Sequence, residues 1–288
     1  MSRKVSKVVI PVAGMGTRFL PATKVLPKEL LPIINKPIIH YIVEEAVSAG
    51  LETVVFITSR PKVLIEDYFD PGDLTSFKLE QAGKASLIDE VLELKKKIDI
   101  VCVRQYKPMG LGHAVLQAKH VVEGQNFAVV LGDDIVASKG RSAIGQCLDN
   151  FEKRDSGSVV GVLEVPSTEA HKYGIAEFDS SQKVSRFIEK PKPGESASNW
   201  ALPGRYVFVP GIIEALKNTP KGKAGELQLT DAMQLLQQSS PFYVEKMKGE
   251  RFDTGDRLGF IMANVAFALN DPAHKEELHA WLEKKLKT

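Results

Sequence analysis

The chain has 288 residues and carries 38 Lys and Arg against 36 Asp and Glu, a formal net charge of +2. With 43% hydrophobic and 26% charged residues its composition is that of a globular protein, which excludes disorder, collagen and coiled coil as whole-chain descriptions. The charge balance also excludes a bulk electrostatic nucleic-acid binder, and the two cysteines, Cys102 and Cys147, form neither a disulfide framework nor a metal-ligand spacing.

The opening residues hold too short an apolar run for a secretory leader, and the longest apolar stretch, 260–269, would span about 15 Å as a helix, half a bilayer core. The expectation is a cytoplasmic protein with no membrane partner. Val8–Ala13 predicts a buried strand ending at Gly14-Met15-Gly16. Pro21, Pro27 and Pro32 then forbid one regular helix before Lys36. From Ile38 apolar residues recur at helical spacing until Gly50, and Thr53–Thr58 is a second β-branched run. Strands are predicted at Ile100–Arg104 and Phe127–Leu131, with a helix at Ala114–Val122 between them. A helix at Ser142–Arg154 and a strand at Ser158–Val165 follow. Shorter strands then come at Gly174–Phe178, Val184–Glu189 and Tyr206–Val209, with Lys192–Ser198 expected as a flexible loop. Helices at Pro210–Asn218 and Leu229–Gln238 and a strand at Tyr243–Met247 lead to Asp253, and the C-terminus is helical over Leu258–Asn270 and Ala273–Lys287. Leu278, Trp281, Leu282 and Leu286 give the last helix an apolar face, expected to pack on the chain's own core.

Alternating strands and helices predict an α/β fold. Its centre is a Rossmann-like, mainly parallel sheet with helices on both faces and a smaller β-rich portion, all in one domain. The division is a nucleotide half over about 1–135, a sugar-phosphate half over about 136–256, and C-terminal helices beyond. Ligands bind such sheets at the carboxyl ends of the strands.

Four constellations could carry chemistry there. Gly14 and Gly16 could let backbone N–H groups approach a phosphate, although an ordinary turn has the same look and Phe19 breaks the dinucleotide fingerprint. Arg18, Lys24, Lys28 and Lys36 stand against the single acid Glu29 in that loop, enough to neutralise a polyphosphate or simply a solvated face. Gly132-Asp133-Asp134 and Phe252-Asp253-Thr254-Gly255 offer carboxylates of the kind Mg²⁺ prefers, provided the fold unites them. Glu189-Lys190-Pro191 could grip an anionic sugar or be an exposed charged pair before a turn. Histidine metal spacings and a Gly-x-Ser-x-Gly nucleophile motif do not occur.

The run Val12-Ala13-Gly14-Met15-Gly16-Thr17-Arg18-Phe19-Leu20-Pro21-Ala22-Thr23-Lys24, continued by Pro27-Lys28-Glu29-Leu30-Leu31-Pro32, resembles the signature of sugar-1-phosphate nucleotidyltransferases. Its form is similar to that of the bacterial UTP–glucose-1-phosphate uridylyltransferases, or UDP-glucose pyrophosphorylases. Pro108–Ala114, Gly132–Asp134, Tyr173–Ile175, Glu189–Pro191, Gly204–Tyr206 and Phe252–Asp256 follow in the family's order. The resemblance implies UTP and glucose-1-phosphate as substrates, UDP-glucose and pyrophosphate as products, Mg²⁺ as cofactor, and a homodimer or homotetramer. It further implies that Ala13, Gly14 and Gly16 meet the nucleotide, that Arg18 and Lys28 hold the triphosphate, and that Glu29, Gln105 and Gly110 line the base and ribose pocket. Asp133 and Asp253 would coordinate the metal, and Gly174, Glu189, Lys190 and Arg205 the sugar phosphate, with Arg18, Lys28 and Lys190 carrying the catalysis. Leu30 departs from a common Met, and Gln117 from a frequent Cys or Ala. A metal-dependent glycosyltransferase and a non-catalytic sugar-nucleotide-binding relative are the competing readings outside the class, and a nucleotidyltransferase of the same family with another base or sugar is the alternative within it. The first lacks its Asp-x-Asp here, and the second should have lost phosphate-binding and metal residues that this chain keeps.

Overall fold

A computed structural model of the chain describes residues 3–70, 72, 78, 79, 81–222 and 225–287. Fourteen strands appear among the described residues in chain order: β1 Lys7–Pro11, β2 Pro32–Ile33, β3 Lys36–Pro37, β4 Thr53–Thr58, β5 Asp99–Arg104, β6 Phe127–Val130, β7 Asp134–Ala137, β8 Ser158–Glu164, β9 Gly174–Phe178, β10 Val184–Glu189, β11 Trp200–Ala201, β12 Arg205–Phe208, β13 Phe242–Lys246 and β14 Glu250–Asp253. The helices are α1 Ile38–Ser48, α2 Val63–Tyr68, α3 Asp89–Lys97, α4 Leu111–Gln117, α5 Ala143–Glu152, α6 Gly211–Asn218, α7 Leu229–Leu236, α8 Arg257–Asn270 and α9 Lys275–Leu286.

One ten-stranded sheet runs β10-β9-β11-β8-β12-β6-β1-β4-β5, with β13 beside β8. The side formed by β6, β1, β4 and β5 is parallel, as the β-branched runs predict. β12 enters antiparallel between β6 and β8, and β9, β10 and β11 extend the sheet antiparallel into the second half. Alternate side chains of the central strands feed opposite cores. Val8, Ile10, Val54 and Phe56 pack with α1 and α5 residues such as Ile39, Ile42, Ile144 and Phe151. Val9, Val55, Ile57 and Val129 pack with α4, α6 and α7 residues such as Val115, Ile212 and Met233. Helices therefore cover both faces.

Two features went unforeseen. β7 and β14 pair as a small antiparallel ribbon off the main sheet, with Asp134 opposite Asp253. Each is only four residues long and its partner is remote in sequence, so neither has a local signal. The stretch 192–198, expected to be flexible, is tied down: Ser196 Oγ donates to Glu177 Oε1 at 3.0 Å and Ser198 Oγ to the Ala176 carbonyl at 2.8 Å. The last helix also corrects its expectation. α9 has no buried residue, Trp281 and Leu286 are 54% and 85% exposed, and only Leu278 and Leu282 are partly covered. No helix among the described residues is long and apolar enough to cross a membrane.

Candidate functional site

The carboxyl end of β1 passes through Val12, whose N–H donates to the Ile57 carbonyl at 2.9 Å, into the glycine loop. That loop forms three short 3-10 turns rather than a helix, at Thr17–Phe19, Ala22–Lys24 and Lys28–Leu30. Gly16 sits at φ 66°, and a Cβ there would come within 3.3 Å of the Lys28 side chain and 3.2 Å of Thr23. Its glycine is thus required by the loop folding back on itself. Gly16 borders neither of the cavities described below, and its conformation supports a role in shaping the loop.

Two cavities open at the carboxyl ends of the strands and meet at Asp133. The smaller, about 300 Å³, is lined by Ala13, Gly14, Lys28, Glu29, Gln105 and Gly110, all residues assigned in the sequence to nucleotide. The larger, about 1080 Å³, is lined by Arg18, Gly174, Glu189, Lys190 and Asp253, those assigned to sugar phosphate, metal and triphosphate. Asp133, Leu111, Leu131 and Glu226 border both. Gly110, at φ 95°, lets its strand-end loop lie against 226–228, since a Cβ would fall 2.7 Å from the Leu227 carbonyl oxygen.

The β7–β14 ribbon is what unites the two aspartates. Asp133 precedes β7 and Asp253 ends β14, and Gly255 lies between their side chains. A Cβ on Gly255 would lie 2.5 Å from Asp133 Oδ2, 3.2 Å from Asp253 Oδ1 and 3.3 Å from an Arg18 guanidinium nitrogen. Thr254 Oγ1 donates to the Asp133 carbonyl at 2.8 Å, and the Gly255 N–H to Asp253 Oδ1 at 3.1 Å, which fixes both ends. Two carboxylates with no third His, Cys, Asp or Glu grouped beside them, among the described residues, suit a hard cation that completes its sphere with phosphate oxygens and water.

A family model for nucleotidyl transferases matches residues 7–269. The chain belongs to that family. The UTP–glucose-1-phosphate uridylyltransferase of Bacillus subtilis is 44% identical over 98% of this chain and 97% of its own length. A second such enzyme, from Staphylococcus saprophyticus, is 43% identical over 98% of each chain. Among solved structures, a UTP-bound UGPase from Acinetobacter baumannii superposes with a TM-score of 0.89 at 36% identity, covering 97% of this chain and 99% of that one. A UDP-glucose pyrophosphorylase complexed with UDP-glucose gives 0.85 at 35% identity over 93% and 100%. Members of the family typically use a divalent metal.

The electrostatics of this nucleotidyl transferase are set by paired, shielded charges. Lys28 forms a salt bridge to Asp133. Burial alone would raise the Asp133 carboxyl, but the attraction of Lys28, helped by Arg18, more than reverses this and holds it below the ordinary value. Beneath the smaller cavity Glu29 Oε2 meets Lys62 Nζ at 2.5 Å, with both side chains almost wholly buried. Burial pushes the Glu29 carboxyl up and the Lys62 ammonium down against that attraction. Glu29 is therefore held in the floor of the cavity.

Arg205 is not where a sugar could reach it. It is fully buried, its guanidinium gripping Glu45 at 2.7 and 2.9 Å and donating to the Pro203 and Asp134 carbonyls at 3.2 and 2.7 Å. The expected sugar contact gives way to a tether between α1 and the turn that carries Asp133. Other residues around the larger cavity had no sequence assignment. Thr230 Oγ1 donates to Glu189 Oε2 at 2.7 Å, fixing that carboxylate beside Gly174. Arg251 grips Asp134 at 2.5 and 3.0 Å, lies over the Tyr173 ring at 4.5 Å and stands 3.7 Å from Asp253. The Tyr173-Gly174 and Phe252-Asp253 motifs pointed to this neighbourhood. Nothing local in the sequence signals Thr230, because it arrives on α7, 41 residues from its partner.

Proposed function

We propose that this chain transfers a uridylyl group from UTP to glucose-1-phosphate, giving UDP-glucose and pyrophosphate. The observation that carries this reading is the pair of cavities that meet at Asp133, one bordered by the nucleotide set and the other by the sugar-phosphate set. Relatives matched over almost their whole length support it. Mg²⁺ is the fitting metal. Asp133 and Asp253 would hold it, and when bound it would neutralise charge on the meeting phosphates.

The chain's own residues do the positioning. Backbone groups at Ala13 and Gly14 face the smaller cavity, where the base and ribose lie over the Glu29–Lys62 pair. Lys28 and Arg18 neutralise the triphosphate near Asp133. Glu189, held by Thr230, accepts sugar hydroxyls, and Lys190, exposed beside it, takes the sugar's phosphate. A phosphate oxygen attacks the α-phosphorus of UTP; a new P–O bond forms as the bond to the β-phosphate bridging oxygen breaks, and pyrophosphate leaves with that electron pair. The nucleophile is a phosphate with a second pKa of about 6, already ionised near neutrality, so no general base is needed. Two anions must meet, and the work is charge neutralisation and alignment.

The single domain divides its labour as the cavities do, and the protein acts in the cytoplasm as a homodimer or homotetramer. Exposed apolar side chains on α8 and α9, among them Leu258, Ile261, Met262, Trp281 and Leu286, support self-association. Light scattering that shows only monomer at micromolar concentration would refute it. The activity test is pyrophosphate release with glucose-1-phosphate and each of UTP, dTTP, CTP, GTP and ATP, with and without EDTA. Release with UTP that EDTA abolishes is expected; silence with UTP would overturn the reading.

A further inference from the structure

Gln117 reaches back one turn of α4 to His113. Its amide Nε2 lies 3.2 Å from the His113 carbonyl oxygen and 3.1 Å from His113 Nε2. On the opposite edge of the ring, His113 Nδ1 lies 2.7 Å from the side-chain amide of Gln105, which lines the smaller cavity. The three side chains form a row: Gln117, His113, Gln105.

A neutral imidazole has one donor and one acceptor nitrogen, so it cannot accept from an NH₂ group on both edges. One of the two amides must turn its oxygen to the ring. The two ends of a glutamine amide have the same shape, and the surrounding hydrogen bonds decide which is which. The His113 carbonyl only accepts, which assigns the NH₂ of Gln117 to that side. The one opposing contact, between the Gln105 amide and the Gly110 carbonyl, is longer at 3.4 Å and correspondingly weaker. His113 Nε2 is then the acceptor, Nδ1 carries the proton, and Gln105 offers its oxygen to it. Burial, with Lys221 nearby, lowers the His113 pKa and keeps the ring neutral. The far end of the Gln105 amide bonds to nothing else among the described residues. It is not among their buried unpartnered side-chain atoms either, so solvent reaches it, and Gln105 borders both the smaller cavity and a neighbouring one lined by Ser59, Arg60 and Tyr106.

We propose that Gln117 and His113 are positioning residues that hold the Gln105 amide with its NH₂ toward the base, selecting a pyrimidine with a carbonyl at C4 over one with an amino group there. Uracil offers an acceptor at that place, whereas cytosine offers a donor that would face another donor. The proposal rests on the smaller cavity being the base pocket.

The test uses the full-length protein labelled with ¹⁵N-histidine, the His113 signal being assigned with His113→Asn. The wild type should show a neutral His113 with its proton on Nδ1. Gln117→Met fills similar space but cannot donate, so the proton should redistribute toward Nε2. The ratio of kcat/KM for UTP over CTP should then fall about tenfold, the worth of one neutral hydrogen bond, through KM rather than kcat. A wild-type proton on Nε2 overturns the relay. A proton on Nδ1 with an unmoved UTP to CTP ratio in Gln117→Met overturns its part in base choice. Gln105→Ala with unchanged KM for UTP would instead overturn the placement of the base, a failure of the cavity reading that leaves the tautomer result standing.

Discussion

Gly255→Ala perturbs the junction of the two cavities by a single methyl group. The backbone there is not in the left-handed region, so alanine is conformationally acceptable. The added carbon would lie 2.5 Å from Asp133 Oδ2, about 0.9 Å inside ordinary contact, and would press on Asp253 and Arg18 at 3.2 and 3.3 Å. Asp133 cannot simply swing away, because its other obligations are the Lys28 salt bridge and a backbone held by Thr254. Relief by overpacking costs about 1–3 kcal/mol, a destabilisation that leaves the chain folded. Loss of one charge-positioning contact in the transition state costs about 3–4 kcal/mol, so kcat should fall on the order of a hundredfold to a thousandfold. Thermal unfolding reads the first effect, and pyrophosphate release over a Mg²⁺ titration reads the second, with the metal requirement moving to higher concentration. Turnover within threefold of wild type at the same Mg²⁺ half-point would refute the convergence of Asp133, Asp253 and Arg18 on this position.

Other outcomes follow from the same geometry. Thr230→Val removes the hydrogen bond that fixes Glu189, and the KM for glucose-1-phosphate should rise about tenfold while that for UTP stays put; equal rises in both would deny Glu189 its role. Glu29→Gln leaves Lys62 buried without its counter-charge and should cost about 3–5 kcal/mol in urea unfolding, with Glu29→Met combined with Lys62→Met costing less than the single change. Arg205→Lys, which cannot span Glu45 and two carbonyls together, should lower stability by about 2–4 kcal/mol yet leave the KM for glucose-1-phosphate within threefold; a selective rise in that KM would restore Arg205 to the sugar site. Burial lowers the pKa of His40, which pairs with the Tyr68 hydroxyl at 2.9 Å. Its folded value lies below its unfolded one, so its contribution to stability is complete above about pH 6.5 and declines as pH falls toward the folded value. Urea midpoints at pH 8 and 5.5 should therefore differ less in His40→Asn than in the wild type, and an equal difference would exclude His40 as a source.

Much of this protein is determined by residues that act locally. The β-branched runs of β1, β4 and β6 specify buried parallel strands because both faces of each strand must be apolar. The three prolines before Lys36 exclude a helix there, and the glycine loop, Asp133, Glu189-Lys190 and Asp253 each announce themselves as short patterns of the right chemistry. The tertiary structure alone decided which of them meet. Asp133 and Asp253 are joined by two four-residue strands whose pairing has no local signature, since each is too short to stand without its distant partner. It also reversed two assignments. Arg205 has the residue type that holds a phosphate, yet the fold buries it fully and surrounds it with the Glu45 carboxylate and the two backbone carbonyls it binds. The apolar face of α9 has the spacing of a core helix but remains largely outside. A sequence states what a side chain can do; burial and the partners that reach it from remote segments determine what it does, because charge and hydrogen bonding change in worth with the water around them.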